Sequence, residues 1–457
     1  MNFGLQTASN FRRYSSPAVT DARRDNPPTL NMVIVALTAI SLYLNLPLLG
    51  VPGSMAILGG IILLGIHCVQ QHQARVIASG LVVCTSLWII TIPFSPDPTR
   101  YGMEQLKSVA LLMGSTLSAY GMFLELSTWP RKILLKCAIA ISSILFLLSA
   151  LEIYTPFRAI SDEARRYLYS GRYLYEDDAR DILFSGTIRP KVFTQEPSHL
   201  AKALAVTISA SVVLSRHRYR VAIGLLAWLA AYRLVTAPTL LLGLGVIIAS
   251  VVFKTPRAYS VTGLLVRIAA VAIPIAGFVW IQDLASLLPF ARAQAIASGA
   301  DRSFVIRSIG PATIAWETIT RYPISGSGIG GREAISPIVL EFYGSLPGFW
   351  IERFRLNAGA GWGNAFFEIF TYSGIVTGAI VLPALLWVTR QFSSSALFSA
   401  LLFFLVFNFD AGFTSSRPWI YYAILAASFA ASYGQASRRP RSDARFAADP
   451  TLALSAR

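Results

Sequence analysis

The sequence predicts an all-α polytopic membrane protein of about 12 transmembrane helices with two large, partly helical loops on one face of the membrane. Three observations predict it. Of 457 residues, 54% are hydrophobic and 14% charged, which leaves too little polar surface for an ordinary soluble protein. Roughly twelve apolar runs follow one another, most of them near the 17 to 25 residues that cross a bilayer. Two hydrophilic stretches, residues 154–197 and 282–362, interrupt this series, and counting runs from the N-terminus puts both on the same side.

In the first half the runs lie near residues 30–49, 53–69, 76–94, 106–126, 133–153 and 198–214. In the second half they lie near 221–235, 239–253, 263–281, 364–388, 394–409 and 418–433, the seventh, eighth and eleventh being short for a span. Orientation follows from the basic residues of the short connections, because Lys and Arg are retained inside. Arg12, Arg13, Arg23 and Arg24, then Arg131 with Lys132, then Arg216, Arg218 and Arg220, and finally Arg438, Arg439 and Arg441 all fall on one side. The chain is thus expected to comprise a basic inner tail, 1–28, a single membrane domain, 29–434, and a second basic inner tail, 435–457. Both long loops are then outside. The net charge of +16 is partly this bias plus attraction to anionic headgroups, with part of it in the outer loops, and nucleic-acid binding is not needed to explain it.

Residues 1–28 lack an apolar core followed by a small-residue cleavage site, so no cleaved signal peptide is expected and the first run itself targets the chain. Cys68, Cys84 and Cys137 fall inside runs without metal-ligand spacing, which supports neither a disulfide nor a zinc site. Large asymmetric loops without visible similarity between the two halves favour an enzyme at one bilayer face over a rocking carrier.

In the first loop, Arg166-Tyr167-Leu168-Tyr169 and Arg172-Tyr173-Leu174-Tyr175 flank Ser170-Gly171, a pattern that predicts a hairpin. Tyr169 and Tyr173 would suit the stacking of sugar rings; an interfacial aromatic belt explains them equally. The loop re-enters the membrane through Arg189-Pro190-Lys191 and Glu196-Pro197-Ser198-His199. Pro197 suits the first helical position and Glu196 the cap, with His199 about one turn on. Taken alone, Glu196 is a helix cap and His199 an interfacial residue. Together with Arg189 and Lys191 they form a candidate active site of an acid, an imidazole and two cations at one membrane entry. Among the four histidines only His199 falls on the outer side.

The second loop carries Arg292, Arg302, Arg307, Arg321, Arg332, Arg353 and Arg355, with a helix expected from Pro311 to Arg321. Its run from Tyr322 to Gly331 lacks the Lys-Ser or Lys-Thr of a phosphate loop, and a tight turn packed on the membrane domain is expected instead. Asn364 and Glu368 lie one turn apart on one face near the outer end of the tenth run, where polar groups face a bundle or cavity.

These stretches resemble the superfamily of Wzy-type O-antigen and exopolysaccharide polymerases and O-antigen ligases. The likeness is carried by Arg189 to His199, by Arg307 with Trp316, Pro323 and Gly326-Ser327-Gly328, and by Gly363-Asn364 with Glu368 and Gly374. Two positions depart from the family pattern: Gly363 stands where ligases often have His, and Thr236-Ala237-Pro238-Thr239 replaces the usual turn before the eighth span.

The resemblance implies a bacterial inner-membrane protein with periplasmic loops that joins sugar chains carried on undecaprenyl pyrophosphate. It also implies a chain-length regulator and export machinery as partners, with no cofactor, since the donor carries its own leaving group. On that reading Arg307 and Arg189 hold the departing pyrophosphate, with Lys191, Arg302 and Arg321 in reserve. Glu196 is the base, with His199 the alternative, and Asn364 and Glu368 orient acceptor or loop. No metal is invoked, because no Asp-x-Asp-like pair stands beside the outer arginines. A polymerase is expected first, a ligase second, and a polysaccharide flippase or other transporter from a different class third.

Overall fold

The structure is a computed structural model and describes residues 27–47, 53–170, 174–176, 178, 181–182, 188–253, 302–346, 364–393 and 396–433. It is all-α, with no strand among the described residues. The helices in order are α1 Thr29–Tyr43, α2 Ser54–Gln70, α3 His72–Ser86, α4 Pro98–Thr128, α5 Arg131–Tyr154, α6 Phe157–Leu168, α7 Pro197–Leu214 and α8 Arg220–Val235. They continue with α9 Leu241–Val252, α10 Arg302–Arg307, α11 Ile309–Arg321, α12 Ser336–Ser345, α13 Ala365–Ser373, α14 Gly378–Arg390, α15 Ala396–Asn408 and α16 Ser416–Tyr433.

Four described segments are long and apolar enough to cross a membrane: His72–Thr91, which extends α3, and α4, α5 and α7. Five shorter apolar helices accompany them. The chain is therefore helical with segments of the length and composition that cross a membrane, although its described helices do not amount to twelve full-length spans. The run at 364–388 is divided at Gly374, whose positive φ of 58° ends α13 four residues before α14 begins. The run at 263–281 lies outside the described residues.

Helices α4, α7 and α16 form the centre. α7 is rich in Ala and Ser and is buried nearly all round, whereas α5 turns most of its surface outward. Close approach uses small residues, as expected where no hydrophobic driving force separates helix from lipid. Gly60 of α2 meets Ser118 of α4, and a Cβ at Gly121 would collide with the Gly60 carbonyl. One turn further along this contact, Glu125 accepts from Asn31 Nδ2 at 2.8 Å and from Trp129 Nε1 at 2.9 Å, and lies 3.0 Å from His67 Nε2.

The expected tight turn in the second loop is present. Gln105 Nε2 donates to the Ser327 carbonyl at 3.0 Å, Ser327 N–H to the Thr371 carbonyl at 2.8 Å, and Ile329 N–H to Thr91 Oγ1 at 3.1 Å. Gly326 has a φ of +60°, and a Cβ there would strike the Thr371 carbonyl, so glycine is required on both counts. The expected hairpin is not formed at its first arm, because Arg166, Tyr167 and Leu168 are the last turn of α6. Arg158 and Arg165 both pair with Asp162 on the preceding and following turns, a helical spacing that overrides the short alternation. The second arm is only partly within the described residues.

Candidate active site

The site begins with a strained approach to α7. Val192 and Phe193 have φ of +42° and +63°, uncommon for any side chain and unfavourable for a β-branched one. Surrounding groups hold this turn in place. The buried Glu152 carboxylate accepts from Lys191 N–H at 3.1 Å and Val192 N–H at 2.6 Å, and Tyr43 Oη donates to the Val192 carbonyl at 2.8 Å. Arg165 Nε donates to the Thr194 carbonyl at 2.7 Å. Strain maintained by this many contacts is typical of functional sites, and here it fixes where Glu196 emerges.

Pro197 occupies the first turn of α7, as expected, and Glu196 stands at the cap position. Its side chain, however, accepts no backbone N–H of the helix. Instead Glu196 Oε2 accepts from Ser198 Oγ at 2.8 Å and from Arg307 Nη2 at 3.3 Å. Burial works to raise the Glu196 pKa, but Arg307, the Ser198 hydroxyl, Lys202 and Arg417 outweigh it and hold the carboxyl below its ordinary value. The pair with Arg307 therefore contributes above the ordinary carboxylate range and is lost as pH falls through that lowered value.

Glu196, His199 and Lys202 follow at a spacing of three along α7. Arg417, on the first turn of α16, places Nη1 2.7 Å from His199 Nε2. A guanidinium only donates, so Nε2 accepts and the imidazole proton sits on Nδ1, which is buried without a hydrogen-bond partner. Lys202 Nζ donates to Asp410 Oδ1 at 2.6 Å, with side chains only 7% and 3% exposed. Among the described residues no carboxylate lies within ion-pair distance of Arg417, itself only 9% exposed. Three cations thus converge where two carboxylates are available.

Asn364 joins this cluster to the second loop. Its Oδ1 caps α13 by accepting from Phe366 N–H at 3.0 Å, while Nδ2 donates to the Arg307 carbonyl at 3.0 Å and to Asn408 Oδ1 at 2.7 Å. Ala365 N–H donates to the Asp410 carbonyl at 2.7 Å, locking the starts of α13 and of the loop after α15 together. Glu368, fully buried, accepts from Arg332 Nη2 at 2.7 Å, Gly412 N–H at 3.1 Å and Phe413 N–H at 2.6 Å. Of the two orienting roles expected for Asn364 and Glu368, holding loops is the one these bonds perform.

Other expected residues stand elsewhere. Arg189 is bound to Asp181, Nε to Oδ1 at 2.7 Å, and donates to Tyr175 Oη at 3.0 Å; Lys191 Nζ donates to Asp178 Oδ1 at 3.1 Å. Both cations are ion-paired within the first loop, with Asp178 shared between Lys191 and Arg158. Arg321 pairs with Glu341 at 2.7 Å and Glu317 at 3.7 Å on the surface of the second loop. Tyr169 is only 1% exposed, its hydroxyl donating to the Leu44 and Phe193 carbonyls, which corrects the expectation that it stacks on sugar. The Arg302 side chain and Tyr173, Arg292, Arg353, Arg355 and Gly363 lie outside the described residues.

Sequence reading missed Lys202, Asp410 and Arg417. The three-residue spacing of Glu196, His199 and Lys202, a polar stripe in an apolar run, was the available signal. Compared with known proteins, the chain matches no family model and no curated sequence, and the site is read from its own geometry.

Proposed function

We propose that the protein is a polysaccharide polymerase that joins oligosaccharide repeat units carried on undecaprenyl pyrophosphate at the periplasmic face of a bacterial inner membrane. One observation carries this reading: Arg417 is nearly buried without a carboxylate partner among the described residues, beside Lys202 and the partly exposed Arg307. With three cations against two carboxylates the cluster holds excess positive charge away from water, which a bound anion compensates. Paired guanidinium donors suit the oxygens of a pyrophosphate. Arg417 and Lys202 thereby take the place first given to Arg189 and Lys191.

In the proposed reaction the pyrophosphate draws Arg307 away from Glu196. The released carboxylate loses its strongest stabilising charge, regains basicity and takes the acceptor hydroxyl's proton. The new C1–O bond forms as the C1–O bond to pyrophosphate breaks, the electron pair leaving on the pyrophosphate and the anomeric configuration inverting. His199, with Nε2 held by Arg417, orients that guanidinium and donates from Nδ1. Metal is not required, because the arginines supply the positive charge.

The reading needs both long loops on one side, with about twelve crossings and both termini in the cytoplasm. Reporters fused near Glu176 and Gly344 should behave as periplasmic and one near His217 as cytoplasmic; opposite sides for the two loops would remove the single site. Cells lacking the protein, or carrying Glu196→Gln, should accumulate single lipid-linked repeat units. Full-length unligated chains would instead assign a ligase, and undiminished polymer on the periplasmic side would reject the enzyme.

A further inference from the structure

We infer that Trp316, Ile324, Ile375 and Val376 form an apolar ridge seated in the headgroup region of the bilayer, so that part of the second hydrophilic loop rests in the membrane surface. Trp316 on α11 is 67% exposed. Thr320, one turn on, is exposed on the same side of the helix, and Ile324, in the turn just past the end of α11, is exposed as well. The opposite face of α11, with Ile314, Ala315 and Thr318, is buried.

The exposed apolar surface continues onto the turn between α13 and α14. Ile375 and Val376 N–H both donate to the Pro323 carbonyl, at 2.8 and 3.2 Å, and Thr377 N–H donates to the Ile324 carbonyl at 2.9 Å. Ile375 and Val376 are 63% and 56% exposed and lead into the outward stripe of α14, where Ile380, Leu386 and Trp387 are exposed on an apolar helix. An apolar surface of this extent is unusual facing water. Its continuity with a helix apolar enough for the bilayer identifies phospholipid as the occupant, and Trp is the side chain favoured at that level.

Arg321, paired with Glu341, marks the wet side of the same helix. Since α10 ends at Arg307 and α11 starts at Ile309, anchoring α11 also sets the depth of Arg307 at headgroup level. This inference rests on burial and backbone contacts and is independent of the proposed reaction.

The test is fluorescence of the full-length protein and of Trp316→Phe in phosphatidylcholine vesicles containing lipids brominated near the headgroup or near the acyl terminus. The difference emission, wild type minus variant, should be quenched by bromine, more strongly by the shallow position, and little by aqueous iodide. Quenching by iodide with none by brominated lipid would place the ridge in water and overturn the inference. Protection from both quenchers would mean that protein, such as a second copy of the chain, covers it, and would overturn it equally.

Discussion

Replacing Arg307 with Ala is expected to abolish polymer while leaving the protein at its normal level in the membrane. Removing one preorganised donor to developing negative charge typically costs on the order of 10²–10³ in rate, and a paired guanidinium contact sits at the upper end. The fold should tolerate the change, since Asn364 holds position 307 through its backbone carbonyl, which Ala retains, and the side chain is 40% exposed. Arg307→Lys should recover only part of the activity, because an ammonium restores the charge without the paired donors. Polymer length on silver-stained gels, with immunoblotting for protein level, makes the comparison. Full-length polymer in the Ala variant would remove Arg307 from the mechanism.

Glu368→Ala should have the largest effect on stability. The carboxylate is fully buried and receives three donors, so its loss leaves Arg332 without its counter-charge and Gly412 and Phe413 with unsatisfied N–H groups. Breaking such a pair from one side costs about 3–5 kcal/mol. Thermal unfolding of the purified protein in detergent should show a midpoint several degrees lower, with Glu368→Gln intermediate because it keeps one accepting oxygen. An unchanged midpoint in the Ala variant would mean that the loop around Gly412 is held by other contacts.

Helical class and membrane character were legible because they depend on composition and run length, which tertiary context seldom reverses. Pro197 was legible as the start of α7 for a local reason, the fixed φ of proline at a first helical turn. The turn at Gly326 was also readable, since its glycines serve no phosphate motif and close approach to the membrane domain is what remains for them to do. What was not legible shares a cause. Arg189 and Lys191 looked available because nothing in sequence announces that Asp181 and Asp178 fold back onto them. Arg417 and Asp410 looked unremarkable because their partners, His199 and Lys202, are more than two hundred positions earlier. The hairpin failed because a four-residue alternation carries less weight than the charge pairs that extend α6 through Leu168.

The reaction in a purified system tests the central claim most directly. The protein in vesicles is supplied with lipid-pyrophosphate-linked repeat units, with EDTA present and nucleotide absent. The expected result is longer lipid-linked chains, with one polyprenyl pyrophosphate released for each new linkage, and loss of both in Arg307→Ala. Elongation that stops with EDTA and returns with magnesium, or that requires a nucleotide sugar, would contradict the arginine-based mechanism. No elongation by an intact, folded protein would contradict the polymerase itself.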